Sequence, residues 1–278
     1  MADTPPDVES YFKRIDYRDT PAADLRTLRA LHLRHAQTIP FENLNPLLRL
    51  PVRLDLESLE QKLIHDGRGG YCFEQNRLFS QVLRHLGYRV TDLAARVIWN
   101  APPDAPIRAR QHMLLRVDLD ESSYLADVGF GGLTLTVPLR LQTDIAQATS
   151  HEEFRLVALE GDLVMQARLQ DTWRPLYRFD LQRQYAPDYE VSSWYLCHHP
   201  ESQFVNHLIA ARTIPGGRYA LLNNRLTEHR LGGESVVRLL HSGAELRAVL
   251  EGAFGLRLPD EPGLEDTLGR LAAVSPVS

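Results

Sequence analysis

The chain has 278 residues, of which 44% are hydrophobic and 24% charged, a composition typical of a globular protein with one large domain or two to three small ones. A net charge of −5 and only two cysteines argue against a basic nucleic-acid-binding surface and against a disulfide framework. No stretch approaches the roughly 18 apolar residues of a membrane-spanning helix, and the acidic start MADTPPDVES does not resemble a secretory signal. We therefore expect a soluble, cytoplasmic protein with free thiols and no nucleic-acid or membrane partner.

Residues 1–87 are predicted to be mainly helical. Three segments in this part space their apolar residues at helical period, and each is followed by a residue that stops a helix. The first runs through PAADLRTLRALHLRHAQTI to Pro40, the second through LESLEQKLIHD to Gly67, and the third through CFEQNRLFSQVLRHL to Gly87.

From residue 88 the pattern changes to short, β-rich segments separated by turn residues. We predict strands in YRVTDLAARVIWN, HMLLRVDL, SYLADVGF, LTLTVPL and WRPLYRFDL, and a hairpin in FRLVALEGDLVMQARLQ that turns at residues 160–162. APPDAPIRARQ, between the first two strands, is predicted to be a loop.

After residue 187 helical and strand patterns mix. DYEVSSWYLCHHP is predicted to be a helix, GGRYALLNNRLTEHRL a hairpin, and GAELRAVLEGAF and LEDTLGRLAAV amphipathic helices. The whole order predicts an α+β protein in three parts. These are a helical bundle over residues 1–87, a β-rich unit over residues 88–186 and a mixed α/β region over residues 187–278.

One of the two cysteines, Cys72, lies in RGGYCFEQN at the predicted start of the third helix. The unpaired N–H groups and the dipole of a helix start stabilise an anion, so this position favours a reactive thiolate. The preceding Gly69 and Gly70 allow a sharp turn and keep the space above the sulfur open. Most free cysteines, however, are small buried apolar residues, and position alone does not separate the two interpretations.

A thiolate nucleophile needs an imidazole, and the imidazole needs an acceptor that orients it. His112 opens the apolar strand HMLLRV, and Asp127 lies in YLADVGFGG at the end of the next strand. If these strands are antiparallel neighbours, both side chains can meet on one face. Taken separately, His112 fits a core histidine and Asp127 fits a turn aspartate before Gly129.

Together, RGGYCFEQN, QHMLLRV and YLADVGFGG resemble the three catalytic segments of the arylamine N-acetyltransferases, and IPFENLNPLL resembles the amino-terminal segment of that family. The resemblance runs through nearly the whole chain and is weakest toward the carboxyl end. It implies a helical bundle, a β-barrel and an α/β lid with a papain-like Cys-His-Asp triad. Cys72 would be the acetyl-accepting nucleophile, His112 its base and acid, and Asp127 the partner that holds the imidazole.

The resemblance also implies a ping-pong reaction. The thiolate takes an acetyl group from the thioester of acetyl-CoA, and a small aromatic amine or hydrazine then takes the acetyl group from the cysteine. Acetyl-CoA would be a co-substrate, with no bound cofactor and no metal.

Further residues are assigned to substrate contacts by the same resemblance. Segments that contact CoA would include Gln111, Gly131 and Gly132. Aromatic residues of the acceptor pocket would include Phe41, Phe130 and Phe204. An aromatic residue on a strand or helix is often part of the core, and that alternative stays open for Phe41 and Phe204.

Two other features have a predicted role. Arg68 and Glu42 are expected to form a bidentate pair that ties the loop before Cys72 to the segment PFEN. CHHP at residues 197–200 supplies too few ligands for a metal, and adjacent histidines on a helix point apart, so we predict no metal site there.

Three alternatives to an acetyltransferase stay open. An amide synthase of the same scaffold would close a macrolactam from a carrier-bound polyketide. A papain-like cysteine hydrolase would use the same order of residues on peptides, without CoA. A non-enzymatic binding module would need a broken triad, and none is seen. The amphipathic carboxy-terminal helices fit either a monomer or a dimer.

Overall fold

The computed structural model of the chain describes residues 5–102 and 104–274. Three stretches lie outside the described residues: residues 1–4 of the first predicted part, residue 103 of the predicted loop, and residues 275–278 of the third predicted part. No described helix is long and apolar enough to cross a membrane.

The described helices are α1 (Val8–Arg14), α2 (Leu25–Thr38), α3 (Leu44–Leu47), α4 (Leu56–Glu60), α5 (Cys72–His85), α6 (Ala186–His198), α7 (Gln203–Asn206), α8 (Gly243–Gly252) and α9 (Leu264–Ala272). The described strands are β1 (Phe41–Glu42), β2 (Arg89–Val97), β3 (His112–Leu119), β4 (Ser122–Ala126), β5 (Leu139–Arg140), β6 (Gln147–Ala148), β7 (Glu153–Leu159), β8 (Asp162–Leu169), β9 (Thr172–Phe179), β10 (Ile209–Ile214), β11 (Gly217–Leu222), β12 (Arg225–Arg230) and β13 (Val236–Leu239).

The amino-terminal helices form where the apolar spacing predicts them. The Asp24 carboxylate accepts a hydrogen bond from the backbone N–H of Thr27 and so caps α2. The helix α4 continues into a π-helical turn, Gln61–His65, and the chain leaves it through Gly67, whose φ of +66° suits glycine. The apolar faces of α2 and α5 lie in one buried core with the start of α5.

The second part of the chain forms an eight-stranded antiparallel sheet in the order β5-β4-β3-β2-β9-β8-β7-β6. It curls into a barrel-like shape around a core that includes Leu93, Phe154, Met165 and Tyr177. β3 and β4 are antiparallel neighbours, with Leu115 opposite Ala126. This pairing brings the start of β3 close to the end of β4, as the sequence predicted.

The predicted strand in LTLTVPL is wrong except at its end. The segment turns instead, and only Leu139 belongs to a strand, β5. The Thr134 hydroxyl and backbone N–H both bond back to the Gly131 carbonyl, at 2.9 and 3.2 Å, so these groups do not join a ladder. Pro138 removes a further donor just before β5.

A second sheet has the order β1-β10-β11-β12-β13, and α8 and α9 share a buried core with one of its faces. Its edge strand β1 comes from the amino-terminal part, with Phe41 opposite Ala211. The short strand was not predicted from the sequence. It ties the amino-terminal part of the chain to the carboxy-terminal sheet.

Candidate active site

Cys72 is the first residue of α5 and is 3% exposed. The Glu74 carboxylate reaches back and accepts a hydrogen bond from the Tyr71 N–H at 3.0 Å, which fixes the start of the helix. The Lys62 ammonium lies 2.7 Å from Glu74 Oε1 and compensates its charge. The helix start that the sequence predicted for this cysteine is confirmed.

The two glycines before the helix act differently from the prediction. Neither has a positive φ, so neither is needed for a left-handed turn. A Cβ on Gly69 would lie 2.1 Å from the Pro40 carbonyl oxygen, and a Cβ on Gly70 would lie 2.7 Å from Glu74 Oε2. The two glycines let the loop pack tightly against residues 40–42 and the capping Glu74 carboxylate. Contrary to the prediction from the sequence, these contacts do not indicate that the glycines keep space open above the sulfur.

His112 and Asp127 meet as the strand pairing predicts. Nε2 of His112 lies 2.7 Å from Oδ2 of Asp127, and both side chains are buried. Burial alone would lower the pKa of His112, but the charge and hydrogen bond of Asp127, together with contact with Cys72, raise it to about 10. Because Nε2 faces Asp127, Nδ1 is the nitrogen left for the thiol of Cys72.

The Asp127 carboxylate is held from four directions. Oδ1 accepts hydrogen bonds from Asn76 Nδ2 and from the Gly129 N–H, each at 3.0 Å, and Oδ2 accepts from the Tyr177 hydroxyl at 3.0 Å as well as from His112. Burial would raise the pKa of Asp127, but the charge of His112 and the hydrogen bonds from His112, Asn76 and Gly129 lower it. The carboxylate is therefore ionised and fixed in orientation.

Gly129 brings the loop after β4 into contact with the start of α5. A Cβ there would lie 2.8 Å from Cys72 Cα and 3.0 Å from Asn76 Nδ2. Only glycine permits this approach without a shift of the backbone. On the other side of the thiol, Cys72 Sγ lies 3.6 Å from the Gln111 carbonyl oxygen.

Three aromatic rings assigned to the acceptor pocket lie around this cluster. Phe41 and Phe204 pack against each other with ring centres 6.0 Å apart, and both belong to the buried core that contains Cys72. Phe130 is half-buried and its ring meets the His112 ring edge-on at 5.3 Å. Phe130 thus contacts His112 directly, whereas Phe41 and Phe204 are core residues that share the buried cluster of Cys72.

The residues assigned to CoA contacts lie in the same region. Gln111 is half-buried, and its N–H donates to the Ala95 carbonyl at 3.0 Å. Gly131 has a φ of +92°, and a Cβ there would be 3.5 Å from the Phe41 ring. Gly132 is exposed, and a Cβ there would meet nothing within 4 Å.

The turn that contains Gly131 is held from behind by a buried ion pair. The Thr134 hydroxyl accepts from the Gly131 N–H at 2.8 Å, and the Thr134 carbonyl accepts from Arg218 Nη1 at 2.9 Å. Arg218, on β11, is 2% exposed and pairs with Glu152, just before β7. This arginine therefore links the glycine-rich loop, the barrel-like sheet and the second sheet.

The predicted pair of Arg68 and Glu42 is present and buried, but its geometry is not a fork on two oxygens. Nε and Nη2 of Arg68 both donate to Glu42 Oε1, at 3.0 and 2.7 Å. The other carboxylate oxygen accepts from the Leu44 N–H at 2.6 Å, and Arg68 Nη2 also donates to Asn45 Oδ1 at 3.0 Å. The pair ties the loop before Cys72 to β1.

The second cysteine lies in a different setting. Cys197 is on α6, where burial raises the pKa of its thiol, and its Sγ is 3.6 Å from the Tyr71 hydroxyl. The two histidines that follow it stack on aromatic rings of α6 instead of converging on a common point. Across residues 5–102 and 104–274, no group of three His, Cys, Asp or Glu residues is placed to hold a metal ion.

Several residues of the site were missed in the sequence. Asn76 lies one helical turn after Cys72, and this spacing alone would have placed it on the same face of α5. Three other residues carry no local signal because their partners are distant in the sequence: Tyr177, Arg218 and His32. His32 contacts Asp127 from α2.

Comparison with known proteins identifies the family of the chain. A family model described as N-acetyltransferase matches residues 24–262. An arylamine N-acetyltransferase of Escherichia coli (strain K12) is 44% identical over 256 residues, 92% of this chain and 90% of that protein. One from Mycobacterium tuberculosis (strain ATCC 25618 / H37Rv) is 44% identical over 276 residues, 97% of each chain.

The fold of the chain also matches solved structures of this family. The structure of Mycobacterium marinum arylamine N-acetyltransferase in complex with CoA matches with a TM-score of 0.92 at 42% identity, over 95% of this chain and 99% of that one. The protein is thus an enzyme of the acyltransferase class that uses acetyl-CoA. It belongs to the arylamine N-acetyltransferase family.

Proposed function

We propose that the protein transfers an acetyl group from acetyl-CoA to a small aromatic amine or hydrazine by a ping-pong mechanism, through an S-acetyl intermediate on Cys72. The observation that carries this proposal is the arrangement of three buried residues. Cys72 begins α5, and the His112 ring, whose pKa the Cys72 side chain helps to raise, donates Nε2–H to the Asp127 carboxylate. This is the order of nucleophile, base and orienting acceptor that thiol acyl transfer needs.

In the first half-reaction, the Cys72 thiolate attacks the thioester carbonyl of acetyl-CoA. The new S–C bond forms as the bond to the CoA sulfur breaks, and the CoA thiolate takes the proton from His112 Nδ1. The raised pKa of His112, about 10, keeps the ring protonated at neutral pH before this step. The Cys72 amide, at the start of α5, is our candidate donor to the oxyanion.

In the second half-reaction, the amine nitrogen attacks the S-acetyl carbonyl, and neutral His112 takes a proton from it. The C–S bond then breaks and returns the thiolate beside a protonated His112. Asp127 stays ionised throughout and holds the imidazole in one tautomer. No separate cofactor takes part, because a thioester is already an activated acyl donor.

The substrate contacts proposed for this reaction follow the positions of the assigned residues. We assign CoA to the region of Gln111, Gly131 and Gly132, where the chain leaves open space beside Gly132. The match to a CoA complex of a relative supports this use of CoA. We assign the acceptor to the region of the Phe41, Phe130 and Phe204 rings.

The proposal is tested by intact mass spectrometry after the protein is mixed with acetyl-CoA and no amine. We expect one added acetyl group in the wild type and in Cys197→Ala, and none in Cys72→Ala. Retention of the adduct in Cys72→Ala would contradict the assignment. An unmodified wild type would exclude acetyl-CoA as the donor and direct the search to carrier-bound acyl groups or peptides.

A further inference from the structure

The helix α2 carries two histidines one turn apart, His32 and His35, and both are fully buried. They bond to different partners. Nε2 of His32 accepts a hydrogen bond from the backbone N–H of Asp127 at 3.1 Å, and Nδ1 of His35 meets the Tyr11 hydroxyl at 2.9 Å. Only the first of these contacts reaches the candidate active site.

The hydrogen bond defines the state of the His32 ring. To accept at Nε2, the ring must be neutral and carry its proton on Nδ1. Burial lowers the pKa of His32 to about 4, which agrees with a neutral ring. Nδ1 has no hydrogen-bond partner among the described residues.

The hydrogen bond between His32 and the Asp127 N–H lies just beyond the end of β4. Ala126 is the last residue of β4 and is paired with Leu115, so the Asp127 N–H is the first backbone donor beyond that ladder. The bonds from Asn76, Gly129 and Tyr177 act on the carboxylate and orient its oxygens. The contact with His32 acts on the main chain and sets where the Cα of Asp127 lies.

We propose that His32 is a positioning residue: its neutral imidazole anchors the backbone of Asp127 to α2 and thereby holds His112 at the distance from Cys72 that acyl transfer needs. This inference rests on the proposed function for its kinetic consequence. His32 touches no substrate, so its loss acts on the rate of acetylation and not on the binding of acetyl-CoA.

The first test compares three variants at a temperature where each is folded. In His32→Met the acceptor is lost, and we expect the rate constant for acetylation of Cys72 to fall about 10- to 100-fold with little change in KM for acetyl-CoA, since a shift of about 1 Å at a reacting group has an effect of this size. His32→Gln places an amide oxygen near the lost Nε2 and restores most of the rate. If the acetylation rate constant falls by the same factor in His32→Gln as in His32→Met, the proposal is overturned.

The matched control is His35→Met. This residue lies on the same helix, is equally buried, and packs on the same Phe79 ring as His32, with centres 5.4 and 5.9 Å away. We expect it to lower the unfolding temperature as much as His32→Met while acetylation stays near the wild-type rate. An equal loss of rate in the control would reduce His32 to a structural residue.

A second measurement needs neither folded variants nor substrate. In protein labelled with ¹⁵N, the N–H···N bond gives a scalar coupling between the Asp127 amide nitrogen and Nε2 of His32, and the ring shows an unprotonated Nε2 at pH 7. A protonated Nε2, or no coupling, would refute the anchor itself. If the coupling is present and wild-type protein is not acetylated, the proposed function fails and the anchor stands.

Discussion

At the scale of the residue, the charge of Asp127 determines the state of His112. Without that charge, burial is the main influence left and lowers the pKa of the imidazole. We predict that Asp127→Asn slows acetylation of Cys72 roughly 1,000-fold or more, because an amide neither stabilises the imidazolium nor enforces its tautomer. The rate is measured by quenched mass spectrometry from about pH 6 to about pH 9, an interval that begins near the pKa of a free histidine.

The control for this substitution is Asp118→Asn. Asp118 lies on β3 near the barrel surface, where it accepts hydrogen bonds from Arg116 and Ser123 and does not touch His112. Its replacement should leave the acetylation rate close to that of the wild type. A wild-type rate in Asp127→Asn would remove Asp127 from the mechanism.

Acid stability is also decided by single residues. Burial lowers the pKa of His32 to about 4, and burial with the nearby His32 lowers that of His35 to about 3, whereas a histidine in an unfolded chain has a pKa of about 6.5. The unfolded chain binds more protons below that value, so this contribution to stability is complete above about pH 6.5 and decreases as the pH falls. His112 has a raised pKa and loses its contribution only as the pH rises toward 10.

We therefore predict that the free energy of unfolding falls by about 1.4 kcal/mol per pH unit for each of the two histidines between about pH 6 and pH 5. Urea unfolding across this interval measures the slope. In His35→Gln one of the two contributions disappears, and the slope should decrease by the corresponding amount. An unchanged slope in that variant would show that His35 is already protonated in the folded protein.

At the scale of the element, the start of α5 and the loop after β4 depend on close approach. Gly129→Ala would place a Cβ 2.8 Å from Cys72 Cα, so one of the two backbones must move. We predict about 1–3 kcal/mol of destabilisation, as for overpacking in a core, and an acetylation rate lowered by about 100-fold. Urea unfolding and the acetylation assay measure the two effects.

Gly269→Ala is the matched substitution. Gly269 lies within α9, and a Cβ there would meet nothing within 4 Å. Alanine is the better helix former, so this variant should be as stable as the wild type or slightly more stable, with unchanged activity. If Gly129→Ala behaves in the same way, the contact between the loop and the helix is not tight.

At the scale of the whole molecule, Arg218 joins three separate parts of the chain. Its loss leaves the largely buried Glu152 without its guanidinium and the Thr134 carbonyl without its donor. We predict that Arg218→Met lowers the free energy of unfolding by about 3–5 kcal/mol, because a buried carboxylate then lacks compensation. Arg247→Met, which removes an exposed pair with Glu251 and Glu265, should cost about 1 kcal/mol or less. Equal losses in urea unfolding would contradict this account of Arg218.

Elements held by local interactions could be predicted from the sequence, whereas contacts between distant residues could not. The long helices and the hairpins are predicted because their signals are local: apolar period, caps and turn residues such as Gly161. Cys72, His112 and Asp127 could be named because they stand in three recognisable segments. The proximity of His112 and Asp127 depends on the pairing of neighbouring strands, and the close approach of Gly129 to Cys72 joins the start of α5 to them.

What could not be predicted depends on partners far away in the chain. His32 is 95 residues from Asp127, and Arg218 is 84 residues from Thr134, so neither pair leaves a local pattern. β1 is only two residues long and exists because β10 and Gly70 lie on either side of it. In LTLTVPL, Leu135 is buried although it lies outside any strand, so apolar alternation there is no guide to strand structure.

The central claim is that the acetyl group passes through Cys72 in two separable steps. The most direct test is to acetylate the protein with acetyl-CoA, remove all CoA by gel filtration, and add an aromatic amine. We predict that the acetyl group leaves Cys72 and appears on the amine at a rate that matches steady-state turnover. Stable acetyl-protein, or transfer only when CoA is present, would contradict a ping-pong mechanism through this cysteine.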